Sequence, residues 1–408
     1  MKKTTRKIIF FLFLGVFLIA APLVVFYTAG YRLNFEQMSL VKTGLFYLST
    51  NPKGATVILD DKNIGRETTA ILKNILPGEY LVRLEKEGYL PWEKKLEIKE
   101  NETTFVQKAI LFSSTEPTLK IAGPFLLSAL DQTGENLAFA LTEGSWVEIW
   151  SQNLASDEKK LLLRLSKNSF DKLNLSWLAG NDHLLLVKET RAGLETWLTI
   201  DQNGKSQTAD ETLKNEWLSD NQLLFTKNTN TGVDLIRRDQ NNSEQTLASL
   251  PSGNYEFIPS PSSLILLQEK TRKKIFLIDN RGVDQPILLN TAAFVAAWNP
   301  QNKNQLLYAS DFELHIFDAE KQTDTLLTRV SAPIIDAAWQ PSAADIFYAD
   351  NNNLYALELD RRGSGYQIFT LATLDKIEAF APTSDEQTIY LVGTQGQEIG
   401  VFERKLLK

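Results

Sequence analysis

The chain has no cysteine, and only two histidines and two methionines, in 408 residues. The missing cysteine excludes disulfide staples, thiolate metal sites, thiol nucleophiles and the acylated cysteine of a lipoprotein. Two histidines, His183 and His315, are too few for a His-rich metal site. No Gly-x-Ser-x-Gly elbow and no glycine-rich phosphate loop occurs, so neither a hydrolase triad nor a nucleotide site is announced. Positive charge is scarce as well. There are 43 Lys and Arg against 50 Asp and Glu, a net charge of −7, and Lys2, Lys3, Arg6 and Lys7 stand ahead of everything else. Beyond those four the chain is acidic and carries no electrostatic footprint for nucleic acid. The sequence therefore names no catalytic group, no cofactor and no metal ligand.

What is present begins with Ile8 to Tyr27, a run without a charged residue. At about 1.5 Å per residue such a run reaches across a hydrocarbon core of roughly 30 Å. The basic flank before it, with Arg32 alone close behind, predicts residues 1–7 in the cytoplasm and the bulk of the chain outside. A cleaved signal peptide is the rival reading, since Thr28-Ala29-Gly30 offers small residues to a peptidase. The run is longer than the usual apolar region of about 7–15 residues, which favours an uncleaved single-pass anchor at 8–27 in the cell membrane. Residues 28–43 are expected to be a short connector.

From 44 to 112, short apolar runs alternate with turn signals. Val57 and Leu59, then Tyr80, Val82 and Leu84, alternate with polar neighbours as in half-buried strands. Asp60-Asp61-Lys62-Asn63 and Pro77-Gly78 read as turns. The expectation is a small antiparallel β-sandwich. Pro52-Lys53-Gly54-Ala55 followed by Val57-Ile58-Leu59-Asp60, then Leu76-Pro77-Gly78-Glu79-Tyr80 and Lys86-Glu87-Gly88-Tyr89, resembles the PEGA domain, with Lys53 in place of the family's Glu. The resemblance implies an extracytoplasmic β-sandwich used for attachment or interaction, and it brings no catalytic residues.

From about 122 the sequence repeats. Trp177, Trp217, Phe257, Trp298, Trp339 and Phe380 follow one another at steps of 40 or 41, with Leu130 in the first slot. A second register places Asp201, Asp239, Asp279, Asp318 and Asp360 at turns, with Ser151 and Glu403 in the outer slots. A period near 41 with four short strands per unit predicts a β-propeller, here of seven blades over 113–408. The pattern resembles the irregular propellers of the TolB or YncE type. No Trp-Asp or Gly-His pair supports a WD40 assignment. Residues 118–122 are expected to close the ring as the outer strand of the last blade, against 398–403.

Aromatics in the repeating slot read as packing between blades. His183 reads as a polar strand-edge residue and His315 as a satisfied core residue. Asp201-Gln-Asn203-Gly204 is a fragment of a calcium loop and reads as a turn. The residues left over are Trp146, Arg191, Asn228 and Asn230. They sit in loops between second and third strands, which open on one face of a propeller, and they are the candidate ligand-binding residues. The expected protein is all-β beyond its transmembrane helix. It is a non-enzymatic interaction or scaffold module of the cell envelope, meeting a protein or glycan partner. The alternative is a propeller-based lyase or glycosidase acting on an envelope polysaccharide.

Overall fold

The computed structural model describes residues 3–34, 39–178, 181–192, 194–201, 203–209, 216–219, 222–239, 241–258, 260, 264–281, 286–363 and 365–407. The chain divides into two compact units. One comprises residues 1–114 with 360–367 and 407, the other 115–359 with 368–406 and 408.

The first unit opens with the helix α1, Lys3–Thr28. Its stretch Ile9–Thr28 has a mean hydropathy of 2.9 and is long and apolar enough to cross a membrane. The stretch expected to be a connector is partly folded instead. Tyr31–Asn34 pairs antiparallel with Ser39–Lys42, and Thr43 closes the base of this hairpin by donating its N–H and its hydroxyl to the Gly30 carbonyl.

The sandwich consists of a four-stranded and a three-stranded sheet. In the first, Thr56–Leu59 is flanked by Lys62–Glu67 and Gly78–Glu85, with Trp92–Ile98 outermost. Asp60 and Asp61 make the tight turn with φ of 45° and 61°, the left-handed pair that a two-residue hairpin requires. The second sheet corrects the antiparallel expectation, because Gly44–Asn51 pairs parallel with Thr103–Ile110 and antiparallel with Ala70–Ile75. A parallel pair needs a long crossover, and here the chain between the two strands builds the facing sheet. Along Trp92–Ile98 every second residue is buried, so Trp92, Leu96 and Ile98 join Phe46, Val57 and Leu84 in the core. Each such side chain contributes about 1.5–3 kcal/mol by leaving water.

The same alternation puts Lys94 inside, 4% exposed. Its ammonium donates to the Asp360 carbonyl at 2.6 Å and lies 3.7 Å from the Asp360 carboxylate. Arg362 adds a hydrogen bond to the Phe105 carbonyl at 2.7 Å.

The second unit contains seven four-stranded antiparallel sheets among its described residues. Their first strands are Leu127–Leu130, Lys172–Leu178, Glu216–Ser219, Tyr255–Ile258, Val295–Trp298, Asp336–Trp339 and Lys376–Pro382. The first six sheets run in chain order. The seventh takes its outer strand from Thr118–Ala122, which pairs with Glu398–Lys405 through Thr118↔Glu403 and Ala122↔Gly400. Apolar side chains interlock the first sheet with the second, the third with the fourth, the fourth with the fifth, and the seventh with the first. This is a β-propeller fold, in which the first and last strands of the unit meet in one sheet, so that Glu398–Lys405 is paired on both sides.

Candidate functional site

The repeating Asp is a turn device. Asp201 Oδ1 accepts the N–H groups of Asn203 and Lys205, both at 2.9 Å. Asp239 does the same for Asn241 and Ser243. Asp279 and Asp360 each accept one N–H and grip the guanidinium of Arg281 or Arg362. That grip holds the Asp279 carboxyl below the usual range. With its carboxylate spent on backbone donors and Gly204 at φ +80°, the Asp201 loop is an Asx turn.

Two of the slot tryptophans tie neighbouring sheets together as well as packing. Trp177 donates Nε1–H to the Ala129 carbonyl at 3.0 Å, and Trp339 donates to Ala297 at 2.9 Å. Trp298 Nε1 is buried, and among the described residues it has no partner.

His315 is half-buried, with its ring stacked on Tyr308 at 4.9 Å. Nδ1 faces Asp324 at 3.2 Å and Nε2 faces Glu313 at 3.4 Å. The two carboxylates lie on opposite edges of the ring and cannot converge on one ion. Tyr308 donates to Asp324 at 2.7 Å, and burial, with Asp324 beside it, pushes the phenol far up. Among the described residues no group of three or more His, Cys, Asp or Glu is arranged to hold a metal. His183 lies in the strand Asn181–Arg191, and its side chain is outside the described residues.

The four residues singled out from the sequence occupy three separate hairpins. Trp146 starts the strand Trp146–Asn153 and is 46% exposed. Arg191 ends Asn181–Arg191 and Asn228 ends Gln222–Asn228, with Asn230 in the following turn. All four are exposed, and among the described residues no hydrogen bond or ring contact joins them.

A concavity among the described residues lies elsewhere, along the first strands of the sheets. Small residues here, in Val295-Ala-Ala-Trp298 and Asp336-Ala-Ala-Trp339, leave a cavity of about 600 Å³. Leu130, Trp298, Trp339 and Phe380 line it, with Pro300, Pro341 and Pro382 at one end and Asp336 beginning its own strand. Asp131 also lines it, but its oxygens are taken by the N–H groups of Glu135 and Asn136 and by the Asn136 amide.

Asp336 is different. Its Oδ1 accepts the Ala337 N–H at 2.8 Å, and enclosure by protein pushes its carboxyl up to about 7. Sequence reasoning missed it, though a signal was there. Three positions ahead of the slot residue the sister repeats carry Leu127, Asn174, Lys214, Asn254, Val295 and Ile377, and only this repeat carries an acid.

Residues 43–111 match the PEGA domain family. A search of curated protein sequences finds no match. Among solved structures, a chain in the crystal structure of a mitotic checkpoint complex aligns at 12% identity and a TM-score of 0.49, covering 73% of this chain and 93% of its own length. An oligogalacturonate lyase in complex with manganese aligns at 12% identity and 0.46, covering 71% and 90%. The β-propeller domain of a Myceliophteria thermophila protein aligns at 15% identity and 0.43, covering 70% and 99%.

Proposed function

We propose that this chain is a membrane-anchored extracytoplasmic binding protein of the cell envelope, working without catalysis. The observation that carries the reading is the PEGA domain at 43–111 directly behind the apolar helix Lys3–Thr28. In this reading α1 crosses the membrane once, with Lys2, Lys3, Arg6 and Lys7 holding the N-terminus inside. The seven sheets are seven blades of one ring, of the irregular TolB or YncE type. The hairpins bearing Trp146, Arg191, Asn228 and Asn230 present its polar face to an envelope protein or glycan. Exposed Trp146 is the anchor of that contact, since a large aromatic left in water carries the most binding energy per residue.

The absent cysteine makes topology simple to test. In intact cells a membrane-impermeant maleimide is expected to label the Ser156→Cys variant and not Thr4→Cys; the reverse pattern refutes the orientation. Crosslinked membranes should yield a partner with wild type that Trp146→Ala captures at least about tenfold less, at an unchanged melting temperature. Equal capture of every partner removes this face, and turnover of an envelope glycan by the purified protein refutes the non-catalytic reading.

A further inference from the structure

The channel cavity holds a carboxylate that the fold does not use. Asp336 Oδ1 takes the Ala337 N–H, and no hydrogen bond reaches Oδ2 among the described residues. The sister repeats carry Leu127, Asn174, Lys214, Asn254, Val295 and Ile377 in this position, so the repeat architecture does not require an acid there. Nor, among the described residues, does the cavity supply a counter-charge. Its charged lining residues are Asp131 and Asp336, and no Lys or Arg lines it among the described residues. A carboxylate partly withdrawn from water without a positive partner is costly. The remaining lining is mostly apolar, of Ala, Val, Leu, Ile, Trp, Phe and Pro, with Gln132, Thr133 and Ser384 as its uncharged polar residues, and a volume of about 600 Å³ suits a small organic molecule.

We propose that the channel binds a small organic cation, a protonated amine on an apolar body, with Asp336 as its counter-ion. The ammonium donates to Oδ2, and the apolar body lies along the Ala-Ala stretches between Trp298 and Trp339. Asp131 sets no second ammonium site, because its oxygens already serve the turn. A cavity lined by two carboxylates and, among the described residues, by no cation repels anions. The site is separate from the hairpin face, so it stands or falls independently of partner capture by Trp146.

The test is titration calorimetry on the full chain in detergent at about pH 8.5, where Asp336 is ionised and a primary amine still carries much of its charge. Benzylamine is the probe and benzyl alcohol its neutral counterpart. Benzylamine should bind at least about tenfold tighter than the alcohol, and Asp336→Asn should lose at least about tenfold for benzylamine alone. Ala338→Leu, which narrows the cavity and leaves the carboxylate in place, should weaken both probes while the protein keeps its melting temperature. Equal affinity for amine and alcohol, benzylamine binding that Asp336→Asn leaves unchanged, or no binding at about 10 mM each overturns the proposal.

Discussion

The sandwich and the propeller place their polar groups in opposite ways. In the sandwich, an inward-facing lysine on the strand Trp92–Ile98 is met by Asp360, 266 residues away in the chain. In the propeller, the slot acids answer donors two to four residues ahead, as Asp201 and Asp239 do. The PEGA motif shares the sandwich's logic. Lys86 of Lys86-Glu87-Gly88-Tyr89 donates to the carbonyls of Lys53 and Gly54 at 2.9 and 3.3 Å, binding two distant motif segments to each other. A repeated local device loses little when one copy is lost. A single long-range pair has no second copy.

The largest expected effect tests the long-range pair. Asp360→Ala leaves the Lys94 ammonium inside without its carboxylate and should cost about 3 kcal/mol. Lys94→Met, which removes charge and keeps volume, should be neutral to within about 1 kcal/mol. Hydrogen exchange on Trp92–Ile98 in both variants decides this; equal loss of protection would show that the charge itself stabilises the sandwich.

The second effect is smaller and has the opposite sign. The Asp336 carboxyl is raised in the folded state to about 7 from an unfolded value of 3.8. The folded protein therefore holds the proton more tightly. Its contribution is favourable below about pH 4, falls as pH rises towards 7, and is lost above. Asp336→Asn should accordingly be more stable than wild type by about 2 kcal/mol at pH 8, a figure reduced for water in the channel, and match it near pH 4. Denaturant melts at the two pH values test this, and a pH-independent difference contradicts it. Stability gained where ligand affinity is lost is the usual trade at a binding site.

The smallest effect compares two copies of one repeat slot. Trp339→Phe removes the hydrogen bond to Ala297 and should cost about 1 kcal/mol more than Trp298→Phe, which removes only an unpartnered donor. Both lose similar volume, so their difference isolates the hydrogen bond. Equal costs would mean that packing alone sets the slot.

The sequence by itself determined whatever depends on near neighbours and on period. The apolar run of α1, the alternation in Val57–Leu59 and Tyr80–Leu84, the tight turn at Asp60-Asp61 and the spacing of the slot aromatics all come from local rules. Even the pairing of 118–122 with 398–403 was legible, because a repeat read in register shows which strand is missing. Only the tertiary structure decided the rest. The pairing of Tyr31–Asn34 with Ser39–Lys42 was hidden by the shortness of these strands, and the parallel pairing of Gly44–Asn51 with Thr103–Ile110 by the length of chain between them. Lys94 was hidden because a lysine on an alternating strand looks like solvent until its partner comes from a distant loop. Asp336 was hidden because one acid in a short strand is ordinary until the strands converge and enclose it. Burial and convergence arise from the whole packed chain, and no local window of sequence contains them.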